Sequence, residues 1–352
     1  WKVDDQELFD AVESLISNAE KGVRTPVFFT ATLKDERRPR DKVAAGKTRV
    51  FESAPQHYVL AMRRYFGDFI AEVMQQRIAT DFCVGINPYS AEWEALYRKI
   101  TSKGGRVIAG DYSNFDGSQN LVVHRRICHF INQWYDDGKL NAQVREVLWE
   151  ELCNSFVLVK DSVIQQTHSQ PSGNPLTVIV NCIYNSMAMR YAWLICEEAA
   201  LDNGFIDSLQ GLDGYDEHVA AANYGDDNVL GITEYALTFY NQDTITSALQ
   251  LIGLTYTDEA KTGNVVPFRK PHEVSFLKRK FVVEGTFVWA PLDLSVCREM
   301  TLWTRGADAS GEATLENCKV AAMELALHGQ HVYDEETTML NRAIRSAGLK
   351  SP

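Results

Sequence analysis

Three carboxylates carry the strongest chemical suggestion in this chain. Asp111 closes the apolar run Arg106 to Ala109 after Gly110, and Asp226 and Asp227 sit in Gly225-Asp226-Asp227 between the runs His218 to Tyr224 and Asn228 to Ile232. Carboxylates at strand ends project from a rigid base and leave coordination positions open, and hard oxygens of this kind suit magnesium. Phosphoryl transfer from a triphosphate uses such groups to hold two divalent ions, one beside the attacking hydroxyl and one beside the departing pyrophosphate. Gly and Asp are also ordinary turn residues, and an isolated Gly-Asp-Asp would be read that way. Its order in the chain and the residues around it decide between the two.

Other polar residues fall at suggestive spacings. Asp116 lies five residues after Asp111. Ser172 and Gly173 occupy a Pro171-Ser172-Gly173 turn, and Thr177 and Asn181, four apart, share one face of the helix expected to follow. By themselves Ser172 reads as a helix cap and Asn181 as a buried helix residue bonded to a neighbour. Between Lys34 and Arg49, seven cations (Lys34, Arg37, Arg38, Arg40, Lys42, Lys47 and Arg49) face only Asp35, Glu36 and Asp41, a balance of +4. Such a segment suits phosphate oxygens, which Arg contacts bidentately, and equally suits a solvated charged loop. Gly46-Lys47-Thr48 ends like a Walker loop, but position 41, where the first glycine would stand, is Asp41.

These residues need rigid elements to hold them. Asp4 to Asn18 and Tyr58 to Val73 carry apolar residues at helical spacing. Arg106 to Ala109 reads as a short strand ending at Gly110-Asp111, with helices over Leu121 to Trp134 and Val144 to Leu152. Phe156 to Val159 and Val163 to Gln166 form a hairpin around Lys160-Asp161-Ser162. A long helix runs from the Pro171 turn to about Cys196, Leu201 to Glu217 reads as an acidic loop, and the Gly-Asp-Asp strands make a tight hairpin. Strands near Val274 to Leu277 and Lys280 to Val283 precede mostly helical patterns.

Composition sets outer bounds. A chain of 352 residues, 45% hydrophobic and 23% charged, can bury a substantial core in two or three subdomains. Its net charge of −12 argues against a protein that simply coats nucleic acid, so an RNA partner requires cations concentrated locally. No apolar run reaches bilayer length, Leu176 to Tyr184 being interrupted by Asn181, and no signal peptide is visible, so a soluble chain is expected. Trp1 at the start suggests release from a precursor or a fragment. Seven cysteines without a C-x-x-C pair suggest buried thiols in a reducing compartment rather than disulfides or zinc.

Four segments taken together resemble successive motifs of picornavirus-like RNA-dependent RNA polymerases: Asp111-Tyr-Ser-Asn-Phe-Asp116, Pro171-Ser-Gly-Asn-Pro-Leu-Thr177 with Asn181, Tyr224-Gly-Asp-Asp227, and Phe276-Leu-Lys-Arg279. The likeness covers about Lys34 to Arg279, and the wording of Thr167 to Pro175 is closest to the insect dicistrovirus-like branch. It implies an α/β, more narrowly α+β, right-hand fold with an antiparallel palm sheet, fingers and a small helical thumb. The division implied is fingers at 1–70, palm at 71–152, a fingers insertion at 153–170, palm again at 171–283 and thumb at 284–352. Part of the family's longer N-terminal fingers region is expected to be missing.

The same resemblance implies roles. Asp111 and Asp226 would be the principal ligands of two Mg²⁺ ions, with Mn²⁺ as a substitute and Asp227 as an auxiliary carboxylate. Lys47 and Arg49 would contact the triphosphate with Lys34, Arg38 and Lys42 in support. Ser172, Gly173, Thr177, Asn181 and Asp116 would surround the nucleotide, where a polar group facing the 2′-hydroxyl selects ribose. Lys261 matches a lysine proposed to protonate the leaving pyrophosphate, although an electrostatic role suits it as well. Lys278 and Arg279 would grip the primer backbone; the plain alternative is an amphipathic surface strand. RNA template and primer, nucleoside triphosphates, a small genome-linked protein primer and membrane-associated replication complexes in the host cytoplasm follow from the family alone. A reverse transcriptase is the nearest rival enzyme, but it typically places a bulky aromatic where this chain has Asp116. A catalytically silent RNA-binding scaffold is opposed by the intact set Asp111, Asp226 and Asp227.

Overall fold

The computed structural model describes residues 5–259, 266–306, 308 and 310–349. Its N-terminal part runs through α1 (Gln6–Glu20), β1 (Phe28–Leu33), the short α2 (Arg40–Ala44), β2 (Val50–Ser53) and α3 (Gln56–Gln75). Asp5 starts α1 by accepting the amide of Leu8, and the face Val12, Leu15, Ile16 and Ala19 is buried. The cationic segment 34–49 is thus a largely exposed excursion between two strands, with one turn of helix in it.

Next come α4 (Ala91–Thr101), β3 (Val107–Ser113), α5 (Leu121–Tyr135), α6 (Lys139–Cys153), β4 (Phe156–Val159) and β5 (Ser162–Gln165). The expected hairpin β4–β5 exists, but β1 pairs in parallel with β4, giving a four-stranded sheet of order β2-β1-β4-β5. This sheet unites 28–53 with 156–165.

The centre is built by α7 (Thr177–Asp202), α8 (Gly211–His218), β6 (Val219–Tyr224), β7 (Asp227–Ile232), α9 (Glu234–Leu237), α10 (Gln242–Leu251) and β8 (Thr255–Asp258). Four of the strands pair antiparallel in the order β6-β7-β3-β8. Because alternate side chains of a strand point to opposite faces, Val107, Ala109, Ala222 and Val229 pack toward Trp93, Leu96 and Ile100 of α4. Ile108, Tyr112, Ala221 and Leu230 join the core that contains Ile179, Val180 and Ile183 of α7. Both faces of the sheet are therefore covered, which makes its end a firm platform.

Two expectations about the elements change here. β3 does not stop at Gly110 but continues through Asp111 to Ser113, because β8 supplies a second edge with Asp111 opposite Thr257 and Ser113 opposite Thr255. The segment read as a loop from Leu201 to Glu217 ends in α8. The Glu197 carboxylate on α7 accepts the amides of Gln210 and Gly211 at the start of α8, and Tyr215 is buried edge-on to Trp193.

The C-terminal part contains β9 (Ser275–Phe276), β10 (Arg279–Lys280), β11 (Val282–Glu284), β12 (Phe287–Trp289), α11 (Leu294–Met300), α12 (Glu312–Leu325) and α13 (Gln330–Ser346). The strand expected over Lys280 to Val283 is divided: β10 pairs with β9, whereas β11 pairs with β12. All seven cysteines are buried and free, and among the described residues no helix is long and apolar enough to cross a membrane.

Candidate active site

At one end of the central sheet Gly110 pairs with Asn228 across β3 and β7, which brings the next residue of β3, Asp111, and the preceding residue of β7, Asp227, to the same end of the ladder. Tyr224 pairs with Asp227, so Gly225 and Asp226 alone form the β6–β7 turn. Gly225 has φ +67°, the positive angle that a two-residue hairpin turn needs at its first position. Asp226 is exposed at the tip, and Asp111 and Asp227 are half-buried below it.

α7 fastens this turn. The Asn185 amide donates to the carbonyls of Gly225 and Asp226 at 3.1 and 3.2 Å, and its Oδ1 accepts the Tyr112 hydroxyl at 3.1 Å. The Tyr256 hydroxyl donates to Asn228 Oδ1 at 2.7 Å. Two of the carboxylate-bearing segments, β3 and the β6–β7 turn, are thus tied to one buried helix. The sequence alone does not single out Asn185, although it stands four after Asn181 and eight after Thr177 on the same helical face.

Asp116 lies beyond the end of β3 in a short 3₁₀ turn, Asp116 to Ser118. Its Oδ1 accepts Asn181 Nδ2 at 2.7 Å, which joins the two residues expected to face one another. Burial raises the Asp116 pKa against the lowering effect of the Asn181 bond; the charge of Asp226 raises it further and that of Lys34 opposes. Asp226 and Lys34 therefore both act on the charge of Asp116.

The turn before α7 is pressed against β2. Ser172 Oγ accepts the amide of Glu52 at 3.3 Å, so it joins two segments rather than capping its own helix. A Cβ at Gly173 would meet the Glu52 carbonyl oxygen at 2.1 Å, so only glycine permits this approach. Thr177 Oγ1 donates within the turn, nearest to the Asn174 carbonyl at 2.8 Å, and accepts from Gln170 Nε2 at 3.3 Å. Its hydroxyl shapes the turn.

Among the cations, Arg49 is held by Glu36, with Nε to Oε1 at 2.6 Å and a second, shorter contact from Nη2 to Oε2. Hydrogen bonding to Glu36 is the main cause raising the Arg49 pKa, and Asp226 adds to it. Arg38 Nη2 donates to the Lys47 carbonyl at 3.3 Å. Lys34 and Arg38 are half-buried, while Lys42 and Lys47 are exposed. Arg37, outside the expected set, pairs with Glu299 at 3.1 Å and lies 4.2 Å from the Trp303 ring centre, linking this segment to the C-terminal part. Lys261 lies outside the described residues.

Arg279 is positioned differently from the expectation of a primer contact. Its guanidinium donates to both Glu324 oxygens at 2.8 and 2.7 Å and to the Ala290 carbonyl at 2.8 Å. It is thereby committed to α12, whereas the adjacent Lys278 is exposed at the bend between β9 and β10. The partner Glu324 stands 45 residues away, too far for local spacing to have announced it.

Chemically, the sheet end combines hard oxygen donors, a neighbouring cationic segment and a polar pair suited to a sugar hydroxyl. Among the described residues no three or more His, Cys, Asp or Glu side chains close into a metal cage. The donor set instead suits magnesium, which keeps several waters and binds through one or two carboxylates together with substrate phosphates.

The family model for viral RNA-dependent RNA polymerases matches residues 1–344. The replicase polyprotein of acute bee paralysis virus (strain Rothamsted) is 41% identical over 349 residues, covering 97% of this chain and 18% of the polyprotein. That of cricket paralysis virus is 41% identical over 341 residues, covering 94% and 19%; both are dicistrovirus replicases, in keeping with the wording of Thr167 to Pro175. The genome polyprotein of rice tungro spherical virus (strain Vt6) is 33% identical over 357 residues, covering 99% of the chain and 10% of that protein. The chain therefore spans only a minor part of the length of these relatives. A solved structure, the Sicinivirus 3Dpol RNA dependent RNA polymerase, matches with a TM-score of 0.80 at 22% identity, covering 98% of this chain and 68% of the other. At that identity the likeness is one of fold.

Proposed function

The chain belongs to the viral RNA-dependent RNA polymerase family, and from that premise we propose that it transfers a nucleoside monophosphate from a triphosphate to the 3′ end of RNA, directed by an RNA template, to replicate a positive-strand viral genome. The observation that carries this reading is the register that pairs Gly110 with Asn228 and so brings Asp111 and Asp227 to the sheet end that holds the Asp226 turn, together with the bond between Asp116 and Asn181. Asp111 and Asp226 would hold two Mg²⁺ ions, or Mn²⁺ in their place, and Asp227 would add negative charge. Such ions, when bound, supply activation of the 3′ hydroxyl and neutralisation of the pyrophosphate.

The remaining roles belong to the chain's own side chains. Lys47 and Arg49, supported by Lys34, Arg38 and Lys42, would neutralise the triphosphate. Asp116 and Asn181 would read the ribose hydroxyl, with Ser172, Gly173 and Thr177 shaping the turn that borders it. Lys261 would donate a proton or positive charge to the leaving group, and Lys278 would contact the primer. In this reading 1–70 and 153–170 are fingers, 71–152 and 171–283 palm, and 284–352 thumb. The sheet that joins 28–53 with 156–165 supports treating the first two as one body. Priming by a small genome-linked protein and location in membrane-associated complexes of the host cytoplasm are further proposals drawn from the family.

Incorporation of labelled UTP on a primed poly(A) template is the test. Extension that needs primer, template and a divalent ion is expected. RNA binding without extension would favour a silent scaffold, and equal use of dTTP would favour a reverse transcriptase.

A further inference from the structure

Behind the Asp116–Asn181 contact the hydrogen bonds continue inward. Asn181 Oδ1 accepts Gln119 Nε2 at 2.8 Å, and Gln119 Oε1 meets His124 Nε2 at 2.7 Å. Gln119 is 1% exposed, His124 0% and Asn181 6%, so bulk water barely reaches any of the three. All arise from two elements: Gln119 and His124 flank the start of α5, and Asn181 is on α7.

The relay has a direction. His124 Nδ1 has no hydrogen-bond partner, and a neutral ring leaves less unsatisfied there if its proton sits on Nε2. Nε2 then donates to Gln119 Oε1, which turns the Gln119 amide so that Nε2 donates to Asn181 Oδ1. That in turn obliges Asn181 to aim Nδ2 at Asp116. Without Gln119, Asn181 could present its oxygen to the Asp116 carboxylate, where two acceptors would repel. Hydrogen bonds in such a chain polarise one another in a low-dielectric interior.

We propose that Gln119 and His124 are positioning residues for sugar selection: they fix the amide orientation of Asn181 and so the geometry with which Asp116 and Asn181 meet the nucleotide's 2′-hydroxyl. The inference rests on the polymerase reading above and names groups that touch neither nucleotide nor metal. Burial pushes the His124 pKa down to about 4, which keeps the ring neutral and its single donor in place near neutral pH.

The test is kcat/KM for GTP and dGTP on one primed RNA, for the parent chain, Gln119→Met, His124→Phe and Asp116→Ala. Gln119→Met keeps the length of the side chain without its polar ends, and His124→Phe keeps a ring without the donor. The GTP/dGTP ratio is expected to fall about tenfold in Gln119→Met and less in His124→Phe, through loss with GTP. A role in packing alone would lower both nucleotides equally. His124→Gln, whose amide can still donate toward Gln119, is expected to retain more of the parent ratio than His124→Phe. If Asp116→Ala lowers the ratio but Gln119→Met and His124→Phe, both folded by their melting curves, leave it unchanged, the relay is wrong and the ribose reading stands. If Asp116→Ala also leaves it unchanged, both fall.

Discussion

Asn181 donates Nδ2 to Oδ1 of Asp116 at 2.7 Å, across 65 residues of chain, and so ties α7 to the turn that follows β3. The first prediction reads this bond from the substrate side. Asp116→Ala lowers kcat/KM for GTP roughly 5- to 150-fold, the range expected for loss of a buried hydrogen-bonding partner, with a smaller effect on dGTP. Steady-state kinetics with both nucleotides on the same primer are the check. An equal fall would give Asp116 a general structural role.

Charge on the 34–49 segment should act on the nucleotide first. Arg49 feels both Glu36 and Asp226, so Arg49→Ala is expected to raise the KM for UTP roughly tenfold, more than it weakens RNA affinity. Lys47→Ala follows the same pattern. Titrations of the two ligands that gave the reverse order would reassign the segment to template binding.

Arg279 and Lys278, adjacent in sequence, should separate by phenotype. Arg279→Ala leaves Glu324 charged among its former partners, and breaking such an enclosed pair costs about 3 kcal/mol. Denaturant unfolding reads that loss. Lys278→Ala, at an exposed position, is expected to keep parent stability and lower RNA affinity, with a shallower salt dependence of binding. A stable Arg279→Ala chain with weakened RNA binding would restore the primer-contact role.

The fate of these residues shows how far the chain could be read in one dimension. The Gly225-Asp226 turn was legible because a two-residue hairpin has a local signature, Asp111 and Asp116 stood out through their spacing and the order of motifs around them, and the long helix after the Pro171 turn was legible from its length, although it runs on to Asp202. Where the stabilising partner is remote, reading failed. β3 runs past Gly110 because β8, more than a hundred residues later, lies against it. α8 starts where Glu197 of another helix supplies the cap. Gln119 stood three residues after Asp116, but a glutamine reads as a surface residue until burial and a facing amide are known. Arg279 likewise gave no sign of Glu324.

His124 makes stability depend on pH in a calculable direction. Its folded pKa of about 4 lies below the ordinary 6.5, so between those values the unfolded chain binds the additional proton. Stability from this group is therefore complete above about pH 6.5 and declines as pH falls toward 4, by a total of about 3 kcal/mol. Chemical denaturation across that window is expected to show a steeper loss for the parent than for His124→Phe. Identical pH slopes would mean that the His124 ring titrates normally.

In the proposed transfer, Asp111 and Asp226 together supply the charge that the reaction needs. Primer extension with UTP on poly(A), measured against Mg²⁺ concentration for the parent, Asp111→Asn and Asp226→Asn, tests it most directly. An amide keeps the shape of the side chain and removes the charge, so each variant is predicted to lose on the order of a hundredfold or more in kcat with an unchanged melting curve. Near-parent turnover at the same Mg²⁺ concentration in either variant would mean that the aspartate replaced is not a principal metal ligand.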